Sequence, residues 1–239
     1  MTSTEEKLQH AQEWMRREIL AQKNHIWDYA RNEDDILQAL QAYFSQEAFL
    51  SLSESCIREL ISSEILFDTL SLHPSIDGSW VILGYQKVFD TLIENFVTKW
   101  YRKYIRKLWK LQKPINTPLE KSLYQVVEKW FIFSAGRLYE IQENIKKERN
   151  CYEEKNIGFY EVSMKAYISE NTEIKKCLIQ SDFFVHLEVL MKKKILWEKR
   201  HSWILSYDDT LLARKLYIWD LRDTNSLLWI LASIWGVRW

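Results

Sequence analysis

Glycine and proline are scarce in this chain, which has five Gly and three Pro among its 239 residues. An average protein contains about 12% of the two residues together, and a β-sandwich or barrel needs a turn signal every ~8–12 residues. This chain lacks those turns. Its hydrophobic content of 47% also excludes a disordered chain. The composition therefore predicts a mainly helical globular fold, with many of its 12 Trp, 12 Tyr and 10 Phe side chains in the core.

Helix-start signals indicate where the helices begin. Residues typical of helix starts precede apolar side chains at helical spacing, and they are Ser3, Asn32, the stretch Ser51-Leu52-Ser53-Glu54, Thr117 and Ser206. The strongest signal is Thr117-Pro118-Leu119-Glu120. Here Thr117 caps the helix, Pro118 is its first residue, and Glu120 is expected to close a capping box by bonding back to the Thr117 N–H.

These signals predict an all-α fold, a single helical-bundle domain of about eight helices over residues 1–239, with acidic N-terminal helices over 1–50. The expected helices cover 3–29, 32–44, 51–70, 80–112, 117–149, 171–200, 206–219 and 226–236. Residues 150–170 are less regular. Within them, residues 159–162 are interpreted as part of a loop or as a short strand.

Charge is unevenly distributed, although the formal net charge is zero. Residues 1–90 carry 7 Lys and Arg against 15 Asp and Glu, whereas residues 91–113 carry 7 against 1. An acidic segment beside a basic one has two explanations. Either the two segments dock on each other, or the basic segment binds a polyanion.

The basic segment forms a stripe along one predicted helix. Its seven cations recur at spacings of three and four residues, which places them on one helix face, and they are Lys99, Arg102, Lys103, Arg106, Lys107, Lys110 and Lys113. No Asp or Glu lies between Glu94 and Glu120. If the seven side chains point outward, they can neutralise nucleic-acid phosphates or contact anionic lipid. The alternative is a face that pairs with the acidic N-terminal helices.

Several function classes lack their sequence signals. Cys56, Cys151 and Cys177 are far apart and odd in number, which argues against a disulfide framework or a zinc site and favours a reducing compartment. The polar residues 1–6 do not resemble a secretory signal, and the apolar run 227–237 is shorter than the ~20 residues that span a bilayer. Phosphate-binding glycine loops and a nucleophile elbow are absent. We expect a cytoplasmic protein with no membrane span, no cofactor and no metal.

A pattern near the carboxyl terminus combines a basic helix end, a histidine, a short loop and an acidic helix start. The helix end is Lys192-Lys193-Lys194-Ile195-Leu196-Trp197-Glu198-Lys199-Arg200-His201, and the helix start is Ser206-Tyr207-Asp208-Asp209-Thr210. This pattern resembles HEPN domains, which are all-α domains of prokaryotic toxins, defence proteins and CRISPR-associated nucleases. The likeness covers residues 55–235, approximately, and includes a similarity of residues 60–98 to the amino-terminal helix pair. It implies an RNA-related role in a bacterial defence or toxin system.

The resemblance also implies catalytic candidates. In HEPN ribonucleases an Arg, followed after four to six residues by a His, helps the RNA 2′-hydroxyl attack the adjacent phosphate without a metal. His201 would be the proton-transfer group. Lys194 stands at the spacing of the family's Arg, and Arg200 is adjacent to His201, so either would hold the phosphate. Lysine supplies charge without the planar fork of arginine, which favours binding over catalysis.

The last predicted helix, over 226–236, is apolar on all sides. Such a helix must be buried, either in the core or against a protein partner or a second copy of the chain. The sequence as a whole predicts a helical component that binds RNA or another polyanion. The alternatives are a metal-independent ribonuclease of HEPN type and a helical adaptor that binds another protein without catalysis.

Overall fold

A computed structural model describes residues 32–108, 114, 116–148, 158–176, 182–193, 205–218 and 226–234. Every regular element in these ranges is helical and none is a strand, which confirms the all-α prediction. The helix expected over 3–29 lies outside the described residues.

The helices in chain order are α1 (Glu33–Tyr43), α2 (Gln46–Ser51), α3 (Glu54–Leu72), α4 (Ser79–Ile93), α5 (Lys99–Lys107), α6 (Pro118–Glu128), α7 (Ala135–Glu148), α8 (Phe159–Glu170), α9 (Thr172–Lys175), α10 (Phe183–Lys192), α11 (Tyr207–Tyr217) and α12 (Leu227–Ser233). A π-helical turn, Glu94–Thr98, joins α4 to α5. The long helix expected over 80–112 is thus continuous through residue 107 but contains this wider turn. The wider turn shifts the phase of α5 relative to α4.

Short-range capping bonds start several of the helices. In each case a side-chain oxygen accepts a hydrogen bond from the backbone N–H three residues later, and the caps are Asn32, Ser53, Thr117, Ser206 and Ser226. The helix starts predicted at Asn32, Thr117 and Ser206 are confirmed. The helix predicted from residue 51 begins after Ser53 instead, because Ser51 is the last residue of α2.

The helix expected over 117–149 is interrupted, so that prediction was wrong. α6 ends at Glu128 and α7 begins at Ala135, and between them Trp130 has a φ of 59°. The Arg102 Nε donates to the Val126 carbonyl at 2.8 Å, and an Arg102 Nη donates to the Phe131 carbonyl at 2.8 Å. A continuous helix would use both carbonyls for the N–H groups four residues on. Arg102 therefore takes acceptors from the helix ladder and stabilises the break.

Residues 159–162 form the first turn of α8 rather than a loop or strand. The buried Glu120 carboxylate accepts hydrogen bonds from the Tyr160 N–H at 3.0 Å and the Glu161 N–H at 2.9 Å. It caps α8 from another helix, so it does not close the predicted capping box at Thr117. A Cβ added to Gly158 would lie 2.2 Å from the Glu120 Cδ. Glycine is needed there because the carboxylate approaches the backbone closely.

The buried hydrophobic residues form one cluster that extends from α1 to α12. Aromatic rings fill its centre, where Phe89 contacts Phe183 and Tyr217 at centroid distances of 6.1 and 6.0 Å. The apolar side chains of α12 are buried in this cluster. The core interpretation of the last helix therefore holds for the described residues, whereas Trp235 and Trp239 lie outside them.

Hydrogen bonds join the turn between α3 and α4 to the segment before α11. The Asp77 carboxylate accepts from the Ser79 N–H at 3.0 Å and from the Leu205 N–H at 2.9 Å, and the Gly78 N–H donates to the Leu205 carbonyl at 3.1 Å. Burial acts to raise the pKa of Asp77, but the hydrogen bonds from Ser79 and Leu205 outweigh it and lower that pKa.

We expect Asp77→Ala to reduce the free energy of unfolding by about 1 kcal/mol at neutral pH, because it removes hydrogen bonds to a carboxylate. The folded-state pKa is lowered, so this stabilisation is present above the ordinary pKa of 3.8 and is lost as the pH falls through and below it. Urea unfolding of wild type and variant at neutral and at acidic pH measures the size of this stabilisation and its dependence on pH. An equal difference between wild type and variant at the two pH values would contradict the assignment.

Candidate nucleic-acid interface

Four cations of α5 form an exposed basic face, namely Lys99, Lys103, Arg106 and Lys107. Successive helical residues are 100° apart, so these four fall within an arc of about 100°. Their outward position agrees with the predicted stripe. Lys110 and Lys113, the last two residues of the predicted stripe, lie outside the described residues.

Arg102 does not belong to this basic face, and its assignment as a nucleic-acid contact is corrected. Only 3% of Arg102 is exposed. Its guanidinium donates to the Glu94 carboxylate at 2.7 Å as well as to the two carbonyls described above. All three contacts are internal to the protein. Arg102 therefore stabilises the fold and leaves no donor at the surface for a phosphate.

The exposed cations do not pair with acidic side chains in the described part of the chain. The Lys99 Nζ donates to the Asn95 amide oxygen at 2.7 Å, the Lys103 Nζ lies 4.7 Å from the Trp100 ring centroid, and the Arg106 guanidinium lies 4.7 Å from the Trp130 ring centroid. The alternative of docking on acidic N-terminal helices finds no such contact from residue 32 onward. Within the described residues, the four positive charges are therefore available to an external anion.

Two grooves run beside the Trp100–Lys103 pair. One has a volume of about 470 Å³ and is lined by Ser51, Asn95, Phe96, Lys99, Trp100 and Lys103. The other has a volume of about 250 Å³ and is lined by Trp100, Lys103, Tyr104, Lys107, Tyr167 and Asn171. Both grooves combine aromatic surface with lysine ammonium groups. Proteins that bind single-stranded nucleic acid use this combination.

Tyr104 at the second groove is uncharged at neutral pH. Burial and a hydrogen bond with Glu170 raise its pKa above the ordinary value. Glu170 is thus an acidic group at this margin of the basic face, and among the described residues its partner is a neutral hydroxyl. The groove retains its positive charges from Lys103 and Lys107.

An exposed apolar segment beside the basic face was missed by the sequence reasoning. It comprises residues 129–132, where Trp130 is 61% exposed, Phe131 47% and Ile132 45%. Arg102 and Arg106 lie over the Trp130 ring at 5.0 and 4.7 Å. In the sequence this segment is Lys129 followed by four apolar residues. It was missed because a continuous helix was expected over 117–149.

The catalytic candidates His201, Lys194 and Arg200 lie outside the described residues, as does most of the segment between α10 and α11. The Ser206 cap of α11, which forms the acidic helix start of the HEPN-like pattern, is present. The described residues contain no group of three or more His, Cys, Asp and Glu side chains that could hold a metal ion. Among the described helices, none is both long and apolar enough to cross a membrane.

Comparisons with protein-family models, with curated proteins and with solved structures gave no significant match to this chain. The resemblance to HEPN domains therefore stays a prediction. The chemistry of the basic face and of the aromatic groups beside it is what supports a function.

Proposed function

We propose that this protein is a helical binding component for RNA or another polyanion, and that the basic face of α5 is its binding surface. The observation that carries the proposal is the set of four exposed cations that have no carboxylate partner in the described residues and lie beside aromatic grooves. A cationic face of this kind attracts anions and gains affinity by releasing their counterions.

The dimensions of the face suit a nucleic-acid strand. From Lys99 to Lys107 the helix rises ~12 Å, and each strand of a nucleic-acid helix carries one phosphate per ~3.4 Å of axis. The face therefore spans about three phosphate intervals, so a strand can place up to about four phosphates along it. A single phosphate ion would engage only part of it, whereas a strand engages all four cations together.

Charge reversal on the basic face tests the proposal. We expect the double variant Lys103→Glu/Lys107→Glu to bind a fluorescently labelled RNA oligonucleotide roughly 10-fold more weakly near 0.1 M salt, measured by anisotropy with EDTA present. The slope of log affinity against log salt should become shallower by about 1.4, since each single-strand phosphate contact contributes ~0.7. The loss should be the same for every RNA sequence, because phosphate contacts carry no base information.

A matched control uses two exposed lysines outside α5. Lys121→Glu/Lys215→Glu changes the net charge by the same amount, and neither lysine has an ion-pair partner in the described ranges. We expect near wild-type binding from this control. Equal weakening by both double variants would show a non-specific charge effect, and unchanged binding by the α5 variant would exclude the basic face as the site.

The same incubations address the ribonuclease alternative. Cleavage of the RNA in EDTA, abolished by His201→Ala, would support metal-independent catalysis of HEPN type. Intact RNA with salt-dependent binding supports a binding component. No salt-dependent retention of RNA at all would favour the adaptor alternative.

A further inference from the structure

The exposed segment 129–132 is held in one position by hydrogen bonds from both of its ends. The Lys129 N–H and the Phe131 N–H both donate to the Gln125 carbonyl, at 2.9 and 3.3 Å. The Phe131 carbonyl accepts from Arg102, and the Phe133 N–H donates to the Thr98 hydroxyl at 3.4 Å. The backbone is thus fixed to α5 and α6, while the Trp130 ring is presented to solvent.

Trp130 has an unfavourable backbone conformation for its residue type. Its φ of 59° belongs to the left-handed region, which glycine adopts without cost and which is uncommon for a bulky side chain. Among the described residues other than glycine, Trp130 is the one with a positive φ. A strained residue that displays an exposed aromatic ring points to a role for the ring itself, because strain of this kind concentrates at functional sites.

The surroundings of the ring favour a nucleobase as its ligand. Arg106 stacks on Trp130 and also belongs to the basic face. A base can stack on the indole while its phosphate pairs with cations of α5, since base–aromatic stacking and phosphate contacts act together in single-strand binding. Insertion into a bilayer would instead bury the guanidinium groups that lie over the ring, at a high desolvation cost.

Aromatic groups flank the basic face on both sides. Trp100 follows Lys99 by 100° around α5, whereas Trp130 lies next to Arg106 at the opposite edge of the arc. A strand whose phosphates follow the cations would have aromatic surface within reach of its bases on either side. In a duplex the base faces are stacked on one another and are not accessible to these rings.

We propose that Trp130 is a stacking platform for an unpaired base, so that the basic face selects single-stranded over double-stranded RNA. This inference rests on the proposed function. In this inference the cations of α5 bind the phosphates, and Trp130 makes the protein prefer single-stranded to double-stranded RNA.

The test compares Trp130→Gly with Trp130→Phe. Glycine suits the φ of 59° and removes the ring, so the variant is expected to remain folded, which a thermal melt verifies. Trp80→Ala is the matched control, because Trp80 is 68% exposed but lies at the start of α4. Each protein is titrated, with EDTA present, against an unstructured RNA oligonucleotide and against the same strand annealed to its complement.

We expect Trp130→Gly to bind the single strand roughly 10-fold to 100-fold more weakly, with its salt slope and its affinity for the duplex unchanged. Trp130→Phe should recover most of the loss, and Trp80→Ala should bind as wild type does. Lys103→Glu/Lys107→Glu should instead weaken binding to both RNAs and flatten the salt slope.

Two results would overturn the inference and leave the proposed function intact. One is unchanged single-strand binding by Trp130→Gly together with a loss in the lysine variant. The other is a loss by Trp130→Gly of binding to phosphatidylserine-containing vesicles with RNA binding unchanged, which would identify a lipid surface as the ligand of the ring. Unchanged RNA binding by the lysine variant would overturn the proposed function itself.

Discussion

Arg214→Ala is expected to lower the free energy of unfolding by about 3–5 kcal/mol, because it leaves a buried carboxylate without its cation. Glu64 has no exposed surface, and its two oxygens accept from the Arg214 Nε at 3.0 Å and from an Arg214 Nη at 2.6 Å. The pair joins α3 to α11. A loss of this size is a large fraction of the 5–15 kcal/mol by which a typical domain is stable.

The environment of Glu64 keeps it dependent on Arg214. The Tyr85 hydroxyl also donates to the Glu64 carboxylate, at 2.5 Å. Burial, together with the negative charge of Glu64, raises the pKa of Tyr85 well above its usual range, so this hydroxyl stays a neutral donor. A neutral donor cannot replace the positive charge of Arg214, whose guanidinium lies 4.5 Å from the Phe67 ring centroid.

A double variant shows whether the loss in Arg214→Ala comes from the unpaired charge of Glu64 or from the lost packing of the Arg214 side chain. Glu64→Leu/Arg214→Met removes both charges and keeps apolar volume, so we expect it to be much more stable than Arg214→Ala and close to wild type. Urea unfolding monitored by circular dichroism gives the three free energies. A loss below about 1 kcal/mol in Arg214→Ala would mean that water reaches Glu64.

Features fixed by short-range contacts were predictable from the sequence. The caps at Asn32, Thr117 and Ser206 bond three residues ahead, so the residues that form each cap are close together in the sequence. Features fixed by distant side chains were not predictable. The start of α8 depends on Glu120, which lies 40 residues before the N–H group that it caps.

The basic face was likewise predictable only where it depends on short-range spacing. Helical spacing predicted that Lys99, Lys103, Arg106 and Lys107 share one surface, and the structure places all four outside. Spacing could not distinguish Arg102, which stands about 60° from Lys99 around the helix at the edge of the stripe. Its burial is caused by carbonyls 24 and 29 residues later in the chain. The stacking platform at Trp130 depends on that same contact.

Arg102→Ala is therefore expected to destabilise the protein strongly, by about 3–5 kcal/mol. The change would leave the Val126 and Phe131 carbonyls and the Glu94 carboxylate without the donor they now share. The second Glu94 oxygen is already buried without a hydrogen-bond partner in the described residues, so the structure offers Glu94 no obvious substitute. Arg102→Lys should recover less than half of the loss, because an ammonium cannot reproduce the planar fork that reaches three acceptors.

Arg106→Ala is the matched control, because Arg106 lies over the same Trp130 ring but is exposed. We expect it to change stability by less than about 0.5 kcal/mol, as is usual for surface substitutions, and to weaken RNA binding with a shallower salt slope. Arg102→Lys should weaken single-strand binding with the salt slope unchanged, since it loosens residues 129–132 without removing a phosphate contact. If instead Arg102→Lys lowered stability but left single-strand binding unchanged, the Arg102 contacts would hold the fold without positioning Trp130 for RNA.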